Sequence, residues 1–237
     1  MDTKKLNVKI FADGANLDGI KQAKSNPLIK GFTTNPTLMK ASGVKDYKEF
    51  AFKALKIVED LPISFEVFSD DLDEMYKQAQ EIGSWGGNVN VKIPITNTKG
   101  YSCKELVRSL NAENIVCNVT AMFTQQHLED IVSICNPDQE IILSIFAGRI
   151  ADTGIDPIGF MKSSVDYVKN NNKISILWAS PREVLNIVHA DQVGCHIITV
   201  TNELLNKVNN FGKDLNQFSL ETVKMFYNDA LESGFEI

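Results

Sequence analysis

Arginine is scarce in this 237-residue chain: Arg108, Arg149 and Arg182 are the only three, against 21 lysines among the 24 basic residues. The chain is also rich in asparagine and isoleucine, so a codon bias against arginine accounts for the scarcity. That makes each surviving arginine more telling. Arg108 lies in a helical stretch near Glu105 and reads as a surface residue. Arg149 and Arg182 each follow an apolar, strand-like run, and a planar bidentate donor suits a place where phosphate is gripped.

Cysteine is sparse too. Cys103, Cys117, Cys135 and Cys195 lie far apart with no C-x-x-C pair, so nothing suggests a disulfide framework or a zinc site. Cys117 and Cys195 fall in apolar runs and read as core. No run approaches transmembrane length, and the first ten residues carry no apolar signal stretch, so a soluble cytoplasmic protein is expected. The net charge of −6 argues against a nucleic-acid or anionic-membrane footprint. An anionic substrate would therefore need a local cationic pocket. His127, His189 and His196 are scattered and give no metal-ligand pattern, so packing or surface roles suit them better and no metal is expected. Trp85 and Trp178 read as packing residues. Asp70-Asp71-x-Asp73-Glu74 opens a helix, whose positive end it suits better than a cation.

No low-complexity segment, linker or charge block divides the chain, so residues 1–237 read as one domain. Short β-type runs alternate with helical stretches. The strand candidates are 7–12, 29–33, 63–67, 89–93, 115–119, 141–145, 174–178 and 195–200. Between them lie amphipathic segments, among them 46–59, 70–83, 101–112, 124–135, 155–170, 181–191 and 201–209. Eight strand–helix units predict a (β/α)₈ TIM barrel. A doubly wound sheet is the alternative, weakened because no G-x-G-x-x-G follows the first strand. An additional C-terminal helix is expected at about 217–233, with Leu220, Val223, Phe226 and Ala230 or Leu231 at helical spacing. It could brace the barrel or pack against a neighbouring subunit.

Strand alternation then sorts side chains by face. Ile63-Phe65-Val67, Val89-Val91-Ile93, Ile115-Cys117-Val119 and Ile141-Leu143-Ile145 form the outward rows. The opposite parity holds Ser64 and Glu66, Asn90 and Lys92, Asn118 and Thr120, and Ser144. Asp13 and Thr33-Thr34-Asn35-Pro36 end the first two strands on the same rim. Each alone has a bland reading: a strand-end lysine can snorkel to solvent, and an interior Glu can simply pair with it. Together they converge where barrel active sites are built. An interior amine can attack a ketone and form an iminium that serves as an electron sink. Asp13 and Glu66 could supply the base and the acid–base relay.

At this point the residues resemble the transaldolase family, its small single-barrel subgroup, along nearly the whole chain. The segments are Phe-Ala-Asp13-Gly, Gly-Phe-Thr-Thr34-Asn35-Pro-Thr, Ser-Phe-Glu66-Val, Val-Lys92-Ile-Pro, Asn118-Val-Thr120-Ala-Met-Phe, Ser144-Ile-Phe146-Ala-Gly-Arg149-Ile and Ala-Ser180-Pro-Arg182. The resemblance implies that Lys92 is a Schiff-base nucleophile and that Asp13 moves the C4-hydroxyl proton. It implies that Glu66 and Thr120 hold a water that relays protons. Thr33, Asn35, Asn118, Ser144 and Phe146 would line the substrate site, with Asn35, Asn118 and Ser144 on the dihydroxyacetone hydroxyls. Arg149, Arg182 and Ser180 would bind a terminal phosphate. The implied partners are sugar phosphates, without cofactor, in a homo-oligomer.

Two features qualify the resemblance. Pro181 stands where a bulkier side chain is expected, which could reshape the phosphate end. Some small family members are fructose 6-phosphate aldolases, which carry Gln in place of Glu66 and Tyr in place of Phe146; both positions here side with transaldolase. A lyase that releases dihydroxyacetone is the nearest alternative, and a non-catalytic sugar-phosphate-binding barrel is the alternative from another class.

Overall fold

The computed structural model describes residues 6–234 and 236; residues 1–5, the first half of the N-terminal stretch read above, lie outside them. Eight strands, β1 (Lys9–Asp13), β2 (Ile29–Thr33), β3 (Ile63–Glu66), β4 (Val89–Pro94), β5 (Cys117–Met122), β6 (Ile141–Ile145), β7 (Ile174–Trp178) and β8 (Ile197–Thr201), form a closed barrel in sequence order. Every neighbouring pair is parallel, β8 returning to β1. This is the expected (β/α)₈ TIM barrel. The helices are α1 (Leu17–Lys24), α2 (Pro36–Ala41), α3 (Tyr47–Val58), α4 (Leu72–Gly83), α5 (Lys104–Ala112), α6 (Gln125–Val132), α7 (Ala147–Ala151), α8 (Ile158–Val168), α9 (Leu185–Gln192), α10 (Asn202–Lys207) and α11 (Leu215–Ser233).

Strands β1, β5 and β8 begin two residues later than their apolar runs suggest. Ladder pairing rather than apolarity sets a strand's start: Cys117, not Ile115, is the first residue of β5 to find partners, in Val91 and Ile141. Helices α2 and α7 escape the sequence reading because five or six residues leave no room for an amphipathic repeat. Helix α1 buries only Ile20 and Ala23, too few to signal a period.

Side-chain caps set many of the helix starts. Asn16, Asn35, Asp46, Asp71, Thr124 and Asp214 each accept a hydrogen bond from a backbone N–H of the following first turn. Asp71 thus uses the acidic run 70–74 as a helix start, and Asp70 binds Thr98 instead.

The outward rows of the strands join the helices in one large core, including Val91, Cys117 and Leu143 at zero exposure. A separate small cluster of Phe11, Ile142, Leu177, Ala179 and Ile197 fills the inside of the barrel. Gly31 belongs to that packing: a Cβ there would come within 2.6 Å of the Phe11 ring. Above this floor the inward side chains turn polar. Trp178 is core, at 1% exposure, and Arg108 pairs with Glu105 at the surface. Among the described residues, no helix is long and apolar enough to cross a membrane.

Helix α11 differs from the others. None of its residues is buried, and Leu220, Val223, Phe226 and Leu231 are all exposed. It does not brace the barrel with its apolar side chains.

Candidate active site

The C-terminal strand ends surround a cleft of about 500 Å³. Asp13 enters it from β1, Thr33 from β2, Glu66 from β3, Lys92 from β4, Asn118 and Thr120 from β5, and Ser144 from β6. Asn35, Phe146, Arg149 and Ser180 follow from the loops and the first turns beyond the strands. A second cleft, of about 460 Å³, opens at the opposite mouth. Its ionisable residues Lys9, Lys30, Glu140 and Lys173 are all exposed or half-exposed, whereas the first cleft holds a buried lysine. Buried ionisable groups and the barrel's C-terminal face both single out the first cleft.

Register explains the central pair. β3 and β4 align Glu66 with Lys92 residue for residue, which puts Lys92 Nζ 3.0 Å from Glu66 Oε2. The same nitrogen donates to the Thr34 carbonyl oxygen at 2.9 Å. Lys92 is 7% exposed, so the long side chain is drawn inward rather than snorkelling out. An amine held by one carboxylate and one carbonyl is oriented, and it has a proton acceptor in contact.

Asp13 is the second carboxylate. Burial pushes its carboxyl above the ordinary range; the charge of Lys92 and hydrogen bonds from Thr33 and Asn35 pull it back, and Glu66 adds to the rise. Thr33 Oγ1 donates to Asp13 Oδ1 at 2.7 Å. Asn35 has two tasks: its Oδ1 caps α2 by accepting from Leu38 N at 2.9 Å, and its side chain also hydrogen-bonds Asp13. A carboxylate kept partly desolvated beside an amine is equipped to take up and return protons.

Asn118 and Ser144 are joined to each other. Ser144 Oγ donates to Asn118 Oδ1 at 2.6 Å, and Asn118 Nδ2 donates to Ser64 Oγ at 3.1 Å. The chain fixes the orientation of the amide and leaves one N–H of Asn118 for a ligand. Ala121 adopts φ +58°, and the β5–β6 register slips between Val119 and Met122. This irregularity lets Thr120 and Ala121 both line the cleft.

Phe146 lies just past β6, at the start of α7, rather than on the strand itself. Its ring packs on the interior cluster and on Phe123, with the Arg149 guanidinium 5.5 Å from its centroid. The rim beyond it is tight: a Cβ on Gly148 would sit 1.5 Å from the Ser180 carbonyl oxygen. Ser180 itself takes φ +61°, a left-handed conformation rare outside glycine, and Pro181 follows.

Arg182 behaves differently from Arg149. It does not line the cleft; Nε donates to Asp152 Oδ1 at 2.9 Å and Nη2 bonds Oδ2. That pair holds the Asp152 carboxyl below the ordinary range, with Arg149 contributing. Of the twelve residues singled out from the sequence, eleven line one cleft and Arg182 stands beside it, bound elsewhere. Thr199 and Tyr47 were not singled out. Thr199 lines the cleft and bonds Thr33; it sits on the inward parity of β8, a polar residue two positions after Ile197. Tyr47 donates to the Glu66 carbonyl oxygen at 2.8 Å from α3, and nothing in its own segment marks that contact.

Comparison with known proteins adds a family. The family model described as transaldolase/fructose-6-phosphate aldolase matches residues 10–237. A protein of Dehalococcoides mccartyi named a probable transaldolase is 32% identical over 84% of this chain and 88% of its own length. One of Thermoplasma volcanium with the same name is 35% identical, covering 81% and 84%. The solved structure of N-acetylneuraminic acid synthetase from Leptospira borgpetersenii is 14% identical with a TM-score of 0.52, over 82% of this chain and 72% of that one. That last likeness concerns the barrel fold alone.

Proposed function

The chain belongs to the transaldolase/fructose-6-phosphate aldolase family, and from that premise we propose that it transfers a dihydroxyacetone unit from a ketose phosphate to an aldose phosphate through a Schiff base on Lys92. The observation that carries the proposal is the inward, ion-paired Lys92 with Asp13 in the same cleft.

The chemistry follows from these positions. Glu66, in contact with Lys92 Nζ, accepts a proton so that the free amine can attack the C2 carbonyl of the donor. Loss of water from the carbinolamine gives the iminium. Glu66 and Thr120 hold the water that carries protons in this step. Asp13 then takes the C4-hydroxyl proton; the C3–C4 bond breaks, its electrons pass into the iminium, and the aldehyde leaves. The enamine left on Lys92 attacks an acceptor aldehyde, Asp13 returns its proton, and hydrolysis frees the lysine. Asn35, Asn118 and Ser144 hydrogen-bond the three-carbon unit. Arg149 and Ser180 bind the phosphate, joined by Arg182 when it exchanges Asp152 for the ligand. Fructose 6-phosphate and sedoheptulose 7-phosphate are the expected donors, as in pentose-phosphate metabolism.

The test is borohydride reduction in the presence of fructose 6-phosphate, followed by peptide mass spectrometry. A reduced adduct on Lys92, and its loss in Lys92→Met together with turnover, is the expected result. An adduct on another lysine, or none, would overturn the assignment. Erythrose 4-phosphate as acceptor separates the transferase from the lyase, which would release dihydroxyacetone without it.

A further inference from the structure

We propose that Thr199 is a positioning residue for Asp13, acting through the Thr33 hydroxyl, and that this bridge of two hydroxyls sets the basicity of the carboxylate that moves the C4-hydroxyl proton. The proposal rests on the Schiff-base reading above.

The argument begins with donor counting. Thr33 has one hydroxyl hydrogen, and at 2.7 Å from Asp13 Oδ1 it is given to a carboxylate that can only accept. Thr33 Oγ1 also bonds Thr199 Oγ1. With the Thr33 hydrogen already placed, Thr199 must be the donor in that second bond. The chain therefore runs in one direction, from Thr199 to Thr33 to Asp13. A hydroxyl that receives a hydrogen bond while giving one is polarised and donates more strongly.

The barrel's closure puts the three residues together. On β2, Thr33 is the strand partner of Asp13; on β8, Thr199 is the partner of Phe11, two residues before Asp13. The bridge thus spans β1, the strand that carries Asp13. Both threonines are buried, at 3% and 6% exposure, so the bonds are little shared with solvent.

Other groups act on Asp13 as well. Lys92 from β4 and Glu66 from β3 are the charges that face it, Arg149 reaches the same cleft from α7, and Asn35 adds a neutral hydrogen bond. β2 and β8 contribute only uncharged donors here. Thr33 donates to Oδ1, so the bridge acts directly on the carboxylate that takes the substrate proton. The bridge accordingly sets the strength of the base. Because Asp13 must be ionised to take the proton, weakening the bridge moves the acid limb of the pH profile upward.

The experiment measures kcat/KM against pH for fructose 6-phosphate with erythrose 4-phosphate in wild type, Thr199→Val, Thr199→Ser, Thr33→Val and the double valine variant. Thr199→Val is expected to move the acid limb to higher pH and to lower kcat by about three- to tenfold, the scale of one neutral hydrogen bond, with KM little changed. Thr199→Ser should restore both. Thr33→Val should shift the limb further, and adding Thr199→Val should then move it no more, because the link is gone. An unmoved limb in Thr199→Val, additive shifts in the double variant, or failure of serine to rescue would each overturn the proposal. If Thr199→Val does not fold, Thr199→Cys, a weak donor of similar size, is expected to give the same upward shift, and its absence counts against the bridge. Borohydride trapping on each variant separates the two levels of the argument. Normal trapping on Lys92 with an unmoved limb removes the role of Thr199 alone, whereas absent trapping in wild type removes the Schiff-base reading.

Discussion

Lys92 Nζ stands 3.0 Å from Glu66 Oε2, with their side chains only 9% and 18% exposed. Charges so withdrawn from water compensate each other, and deleting one strands the other. Lys92→Met is expected to lower unfolding stability by about 3 kcal/mol. Adding Glu66→Met should recover most of that loss, since an apolar pair replaces the ionic one. Denaturant midpoints of wild type and the two variants check this. A double variant no more stable than Lys92→Met would show that the two residues are not coupled.

Asp13 is raised by burial, and the sign of its effect on stability follows. A carboxyl raised in the folded state holds its proton more readily there than in the unfolded chain. Its favourable contribution is therefore present below the unfolded value and is lost as pH rises through the folded one. As pH rises above the unfolded value, the group therefore costs stability. Asp13→Asn should raise Tm at pH 7.5 while abolishing turnover, and the gain should fade toward the ordinary carboxylate value of 3.8. No gain at pH 7.5 would mean that Lys92 and Thr33 outweigh burial.

Arg149 lines the cleft, whereas Arg182 is bound to Asp152. Arg149→Ala should weaken phosphorylated substrates roughly ten- to a hundredfold more than unphosphorylated analogues, the value of a charge-assisted contact. Arg182→Ala should show the same selectivity with a smaller loss, because phosphate must displace Asp152. Lysine at either position should rescue only in part, since the fork geometry is lost. Equal losses on both kinds of substrate would make the arginines structural.

Phe146 has no proton to give and no hydroxyl to hold water, which suits an enamine that must await an acceptor. Wild type should transfer to erythrose 4-phosphate at least about tenfold faster than it releases dihydroxyacetone, since protonation needs a placed donor. Phe146→Tyr should raise the release-to-transfer ratio, and Glu66→Gln added to it should raise the ratio further. Dihydroxyacetone production with and without acceptor is the assay. Unchanged partitioning would show that position 146 does not control it.

Helix α11 presents Leu220, Val223, Phe226 and Leu231 to solvent with none of its residues buried. Such a face is expected to be covered by another copy of the chain. Light scattering should report an oligomer at micromolar concentration, and Val223→Glu with Phe226→Glu should dissociate it without unfolding the barrel. A wild-type monomer at that concentration would refute this.

Much of the barrel was legible in the sequence because strand alternation is local. A period of two sorts Glu66, Lys92, Asn118 and Ser144 onto one face whatever the rest of the chain does, and parallel pairing of consecutive strands then sets Glu66 beside Lys92. The apolar rows Val89-Val91-Ile93 and Ile141-Leu143-Ile145 likewise declared their outward parity before any fold was known. Helices α2 and α7 did not, being shorter than the repeat that would reveal them.

Closure and side-chain reach belonged to the tertiary structure. Thr33 and Thr199 are 166 residues apart, and they meet only because the last strand returns to the first. Arg182, in the loop before α9, and Asp152, just past α7, are 30 residues apart, and a long, rotatable guanidinium chooses its partner by the distances the fold leaves open. The slip at Ala121 depends on the register between β5 and β6, a relation that neither strand encodes alone. Residue type and period determined which groups face inward; the meeting of distant strands decided which of those groups bind one another.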